Sequence, residues 1–208
     1  MGEDKLWSDV GGRPLLALTL DAVAWADCFD TVVVAAPRSR WQEITALAQR
    51  SGLRNVQLVE GGARRQDSVA AALALCADSE VVCVHDAARP LVPPQLFRDV
   101  LAAARESGAA TAGVASIDTV KQVADGHVVA TLPRDELIAT QTPQAFRTEL
   151  LVRAHREAGE QRYAADDDAS LVEHLGAPVT VVPGDSCNLK VTTPQDLLVV
   201  RALFAGNA

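Results

Sequence analysis

Basic side chains are the scarce class in this sequence. Nineteen Lys and Arg face 27 Asp and Glu, for a formal net charge of −8 at pH 7. Phosphate backbones and anionic lipid surfaces attract basic patches, so this balance argues against a general nucleic-acid or membrane partner. Any anionic ligand has to be held by a few locally placed Lys or Arg side chains. Long apolar runs are missing too: no stretch reaches the roughly 18 residues of a membrane span. The first residues lack the basic-then-apolar layout of a secretory signal. Cys28, Cys76, Cys83 and Cys187 contain no Cys-x-x-Cys pair, which argues against a metal knuckle or dithiol site and leaves reduced thiols in a cytoplasmic protein as the expectation. Repeats, low-complexity tracts and linkers are absent, and 208 residues with 49% hydrophobic content suffice for one domain, 1–208.

What is present is an alternation of short β-branched runs with longer Ala/Leu-rich stretches, the pattern of an α/β fold whose strands are covered on both faces by helices. Helices are expected over about 14–26, opened by Pro14, from 41 to Gly52, over 67–77 with Asp67 as N-cap, and over 94–107 closed by Gly108. Strands are expected over 31–36, 57–59, 81–85 and 110–117. Then the rhythm breaks. Residues 120–132 alternate around Asp125-Gly126, a dipeptide suited to a type I′ turn, and read as an inserted hairpin arm spanning 118–134. Helices near 148–158 and 168–175, a strand at 179–182 and a helix opening at Pro194 complete the chain.

In an open α/β sheet, ligands bind beyond the carboxyl ends of the strands. The most informative such segment is His85-Asp86-Ala87-Ala88-Arg89-Pro90. Ala87 and Ala88 allow close approach, Asp86 suits a ribose hydroxyl or a divalent cation, and Arg89 suits a phosphate. An Asp capping the next turn with Arg89 as its ion pair explains the same spacing. Gly61 and Gly62, with Arg65 and Ser68, put flexible backbone before a helix N-terminus, where free N–H groups favour electron-rich ligand atoms. Thr119 and Lys121 lie where the sheet hands over to the hairpin, Arg134 where it returns, and Lys190 after the last strand; each also reads as ordinary surface polarity. Asp166, Asp167 and Asp168 read as a helix N-cap cluster rather than a metal site. His85 is placed in a strand, and His127, His155 and His174 on hairpin or helix surfaces, so no His recommends itself as a general base.

Taken in order, these segments resemble the 2-C-methyl-D-erythritol 4-phosphate cytidylyltransferases of the non-mevalonate isoprenoid pathway. The resemblance runs through Lys5, Gly12-Arg13-Pro14-Leu15-Leu16, Gly61-Gly62 with Arg65 and Ser68, His85 to Pro90, Asp118-Thr119 with Lys121, and Arg134. It continues through Gln141-Thr142-Pro143-Gln144, Asp167-Asp168-Ala169-Ser170, and Asn188-Leu189-Lys190 with Thr192-Thr193-Pro194. It implies a Rossmann-like nucleotidyltransferase three-layer sandwich with a mainly parallel sheet, and a homodimer formed through the arm. CTP and a sugar-alcohol phosphate are the implied substrates, with Mg²⁺ present. By position it implies charge stabilisation at the α-phosphate by Lys5, and placement of the sugar phosphate by Arg134 and Lys190. Recognition of the nucleotide falls to Gly61, Gly62, Arg65, Ser68, Asp86 and Ala87; Asp86, Arg89, Thr119 and Thr142 are further substrate-pocket residues, with Asp86 also the possible metal ligand. The family's opening strand and its Ala-Ala-Gly-x-Gly-x-Arg triphosphate loop have no counterpart in the sequence. About 20 further N-terminal residues, supplying the first strand of a βαβ unit, are therefore expected. A ribitol-5-phosphate cytidylyltransferase shares the motifs and is the nearest alternative; a non-catalytic remnant is the other.

Overall fold

β-branched runs become strands and Ala/Leu stretches become helices, much as the periodicity implies. In the computed structural model, which describes residues 3–206, a 3-10 turn (Glu3–Trp7) precedes a small ribbon of β1 (Asp9–Val10) and β2 (Arg13–Pro14). There follow α1 (Leu15–Ala26), β3 (Val32–Ala35), α2 (Trp41–Arg50), β4 (Val56–Val59), α3 (Arg65–Leu73), β5 (Val81–Val84), α4 (Pro94–Ser107) and β6 (Ala109–Ala115). The arm is β7 (Lys121–Ala124) and β8 (His127–Thr131), after which come β9 (Ile138–Arg147), α5 (Thr148–Glu160), α6 (Asp168–His174), β10 (Thr180–Pro183) and α7 (Pro194–Gly206).

The main sheet has the order β10, β6, β9, β5, while β3 and β4 form a separate parallel pair. β10 is parallel to β6, and β9 is antiparallel to both β6 and β5. The strands β5, β6 and β10 therefore run one way, as expected for a mainly parallel sheet, and β9 alone runs against them. The sequence predicts no strand at β9, because this segment is polar and contains Pro143, a residue normally confined to edges and bulges. The fold accommodates the proline in an irregularity: Thr111 pairs with Gln144 and Gly113 with Thr140, so Gln141, Thr142 and Pro143 face Ala112 alone.

Helices cover both faces, giving three layers. On one side Ala22 and Ala26 of α1 and Phe97, Val100 and Ala104 of α4 pack on the sheet. On the other, Leu151 and Ala154 of α5 and Leu171 and Val172 of α6 pack against Phe146 and Val82. α1 is buried on most sides because it also meets α2 through Leu16 and Leu20, and the α7 side through Leu15 and Leu18.

Between β3 and β5 runs a slot of about 640 Å³, lined by Val32, Val34, Val81 and Cys83 with Leu20 and Phe97. No described strand pairs with the edges of β3 and β5 that face it. The arm closes through Asp125 at φ 48° and Gly126 at φ 77°, the conformation its sequence calls for. It leaves Val123, Val128 and Val129 exposed.

Candidate functional site

The site gathers where strands end. Asp86 leaves the carboxyl end of β5 with its backbone N–H donating to the Thr142 hydroxyl of β9 (2.9 Å). Thr142 also meets His85 Nδ1 at 3.1 Å, and His85 Nε2 lies 3.4 Å from the Arg89 carbonyl. A neutral His85 with its proton on Nε2 satisfies all three contacts, the hydroxyl donating to Nδ1. Burial lowers the His85 pKa to about 4, against the opposing pull of Asp86. Thr142 thus aligns the strand end rather than presenting a free hydroxyl.

Three cations converge on the Asp86 carboxylate. Lys190 Nζ is 2.8 Å from Oδ2, Arg65 Nε 3.2 Å from Oδ1, and Arg89 Nε 3.7 Å from Oδ2. Burial alone would raise the Asp86 pKa, but the hydrogen bond and charge of Lys190, joined by Arg65, outweigh it and hold the group at about 2. Asp86 is therefore a carboxylate at any physiological pH. The reading of Asp86 and Arg89 as an ion pair is correct as far as it goes, but Lys190 and Arg65 make it a cluster. Lys190 arrives because Val191 N–H donates to the Ala88 carbonyl (2.8 Å) and because buried Asn188 ties the segment to β9, donating to Thr142 O (2.9 Å) and Gln141 Oε1 (3.1 Å). The Asn188 carbonyl in turn accepts from Arg89 Nη1 (2.7 Å).

Arg65 comes from the turn at 61–64. α3 begins at Arg65, with Arg64 in the N-cap position, two residues before the expected start at Asp67. The Asp67 carboxylate reaches back to accept from Arg64 N–H (3.2 Å), capping the helix from inside its first turn. Ser68 closes the turn, its hydroxyl accepting from Gly62 N–H (3.0 Å) and donating to Arg64 O (3.1 Å). A Cβ on Gly62 would lie 2.4 Å from the Asp67 Cβ, so glycine is required there for space. Since the turn follows β4 and Arg65 meets Asp86 just past β5, both strands end at this cluster. Arg65, Ser68, Asp86 and Ala87 also line the site end of the slot.

Other expected residues lie elsewhere. Lys5 is half-buried in the first 3-10 turn, whose Leu6 and Trp7 pack with Ala36 and Ala87. Thr119 and Arg134 are exposed at the base of the arm, and Arg134 faces Asp135 at 3.7 Å. Neither bonds to the Asp86 cluster. Two residues escape the sequence reading. Asp168 is buried and pairs with Arg65 Nη1 (2.7 Å) and His155 Nε2 (3.0 Å). His155, expected on a helix surface, is turned inward with its side chain 7% exposed. Asp167 does cap α6, accepting from Ser170 N–H (2.9 Å), so the N-cap reading of the acidic run holds for one residue and misses its neighbour.

The described residues include no group of three or more His, Cys, Asp or Glu able to hold a metal ion. Both Asp86 oxygens are taken up by cations, so the residues present do not form a resident magnesium cage. No described helix is long and apolar enough to cross a membrane.

Comparison with known proteins places the geometry. A family model described as IspD, 2-C-methyl-D-erythritol 4-phosphate cytidylyltransferase, matches residues 1–205. The curated enzyme of that name from Bacillus cytotoxicus is 41% identical over 204 residues, covering 98% of this chain and 90% of the relative. That from Pelotomaculum thermopropionicum is 44% identical over 204 residues, covering 96% and 86%. Among solved structures, the 2-C-methyl-D-erythritol 4-phosphate cytidylyltransferase of Thermus thermophilus superposes with a TM-score of 0.81 at 40% identity, over 96% of this chain and 93% of that one. The 4-diphosphocytidyl-2C-methyl-D-erythritol synthase of Anaerococcus prevotii gives 0.89 at 30% identity, over 97% and 94%.

Proposed function

The chain belongs to the 2-C-methyl-D-erythritol 4-phosphate cytidylyltransferase family, and from that premise we propose that it transfers the cytidylyl group of CTP to the phosphate of 2-C-methyl-D-erythritol 4-phosphate in isoprenoid biosynthesis. A phosphate oxygen of the sugar alcohol forms the new bond to the α-phosphorus, the bond from that phosphorus to the bridging oxygen breaks, and pyrophosphate leaves. The nucleophile is already anionic, so no base has to take a proton. What the protein supplies is placement and positive charge at phosphate oxygens.

The observation that carries the reading is the Asp86 cluster. Three cations against two carboxylates, Asp86 and Asp168, leave one positive charge at a strand-end pocket beside a helix N-terminus. Within it, Lys190, 39% exposed, is the cation that can turn from Asp86 toward a substrate phosphate. Residues 61–68 with Ala87 take the nucleotide, Arg89 shapes the pocket wall, and Lys5 faces the α-phosphate. Magnesium would arrive bound to the triphosphate rather than to protein side chains, and would there offset part of its negative charge.

The arm supports a two-fold dimer. A two-stranded hairpin is too small to bury its own core, and this one exposes three valines. In such a dimer Thr119 and Arg134 complete the pocket of the neighbouring subunit, with Lys190 contributed in cis. The four unpaired cysteines fit a reducing cytoplasm. Pyrophosphate release from CTP tests the activity, with 2-C-methyl-D-erythritol 4-phosphate and ribitol 5-phosphate as rival acceptors. Faster turnover with ribitol 5-phosphate would overturn the assignment, and so would release that needs neither acceptor.

A further inference from the structure

Arg65 is held from two sides, and only one of them belongs to the substrate pocket. Its Nε meets Asp86 at 3.2 Å, while its Nη1 meets Asp168 at 2.7 Å on the far side. Asp168 is 1% exposed, and burying a charge that deep is costly unless it is paired and hydrogen-bonded. Its second oxygen is taken by His155 Nε2 at 3.0 Å. The three residues stand on α3, α5 and α6, so one carboxylate pins together the elements behind the nucleotide turn. Arg65 Nη2 is buried with no partner, so the guanidinium is held by its Nε and Nη1 contacts to the two carboxylates.

We infer that Asp168, itself fixed by His155, is a positioning residue for the nucleotide site: it fixes the Arg65 guanidinium from behind and, through it, the turn at 61–64. The inference rests on the reading of Arg65 as part of the nucleotide pocket. Without the anchor the guanidinium swings toward Asp86, and the turn at 61–64 follows the Arg65 backbone. The consequence falls on CTP binding first. His155 acts through its hydrogen bond, so a glutamine able to donate to Asp168 substitutes for it and a leucine does not.

The experiment compares His155→Leu with His155→Gln in the full chain, each checked for folding by circular dichroism and thermal melting, and measures kcat and KM for CTP separately. His155→Leu is expected to raise the KM for CTP about tenfold, the effect of one charge-assisted hydrogen bond, with kcat at saturating CTP nearly kept. His155→Gln is expected to restore the KM to within about threefold of the starting enzyme, a residue of the same donor function. A KM unchanged in His155→Leu, or a glutamine as impaired as the leucine, would overturn the anchoring role. Arg65→Ala separates this from the underlying reading. If Arg65→Ala leaves the KM for CTP unchanged, Arg65 is not in the nucleotide pocket; if Arg65→Ala raises it and His155→Leu does not, the pocket stands and the anchor falls.

Discussion

Replacing Lys190 by Ala separates the roles of the cluster. Asp86 sits near pKa 2 rather than its ordinary 3.8, a difference of roughly 2.4 kcal/mol at about 1.4 kcal/mol per tenfold. That sum is shared, because Arg65 at 3.2 Å and Arg89 at 3.7 Å remain after the change. Removing one partner of an isolated buried pair costs about 3–5 kcal/mol. Here the carboxylate keeps two cations, and Lys190 is 39% exposed, so the stability loss should be about 1 kcal/mol. The catalytic loss should be larger. One preorganised cation that steadies a reacting phosphate is worth about 2–4 kcal/mol in the barrier, or roughly 30- to 900-fold in kcat/KM for the sugar phosphate. CTP binding, assigned above to residues 61–68 and Ala87, should change little. Pyrophosphate release gives the first quantity and calorimetry with CTP the second. If Lys190→Ala abolished CTP binding, or left turnover unchanged, the assignment of Lys190 to the nucleophile would fail.

Acid should reach His85 before Asp86. Between pH 6.5 and about 4 the unfolded chain binds a proton that folded His85 refuses, so stability falls with pH, by about 2–3 kcal/mol from pH 7 to 4.5; urea titrations of His85→Asn should be flatter over that window, and an equally steep curve would show the loss arises elsewhere. Asp86 contributes in the same sense but later, its stabilisation complete above 3.8 and lost as pH falls through about 2. Gly62→Ala forces a Cβ to within 2.4 Å of the Asp67 Cβ; it should cost about 1–3 kcal/mol and weaken CTP binding, and a melting temperature and KM both unchanged would refute the packed-turn account. Co-expressed Arg134→Ala and Lys190→Ala chains, each nearly inactive alone, should form heterodimers with one intact and one doubly altered site, regaining roughly half the wild-type activity per dimer if the two residues come from opposite subunits. Purified heterodimers as inactive as their parents would confine Arg134 to its own chain.

Much of this is legible in the sequence because local chemistry decides it. Pro14 and Gly108 bracket α1 and α4 by their backbone preferences, and Asp125-Gly126 closes the arm for the same reason. Asp86, Arg89, Gly61 and Lys190 stand out because each follows a strand. β9 is hidden because nothing local favours it: its central place depends on Gln144, fully buried, donating to Thr111 Oγ1 (3.0 Å) and Asp167 Oδ2 (2.7 Å), partners 33 and 23 residues away. His155 and Asp168 escape notice for a related reason. A polar residue in a helix reads as solvated until its buried partner is known, and Arg65 lies 103 residues from Asp168. The acidic run offers one signal, since Asp167 alone accounts for the cap.

The slot between β3 and β5 bears on how the molecule comes apart. In the 208-residue chain no described strand bridges β3 and β5, so β3, β4 and α2 meet the larger sheet through side chains, Leu16 and Leu20 of α1 and Ala87 among them. Such a junction invites sub-global opening, with amides of the smaller unit exchanging with solvent ahead of those in β6 and β9. The tryptophans are distributed unevenly across it: Trp7 and Trp41 pack in the smaller unit, and Trp25 is 68% exposed on α1. Tryptophan fluorescence therefore reports the minor unit while far-ultraviolet dichroism reports the whole. A lower midpoint by fluorescence than by dichroism would mark the loss of that unit, and a single free energy of unfolding would then describe neither.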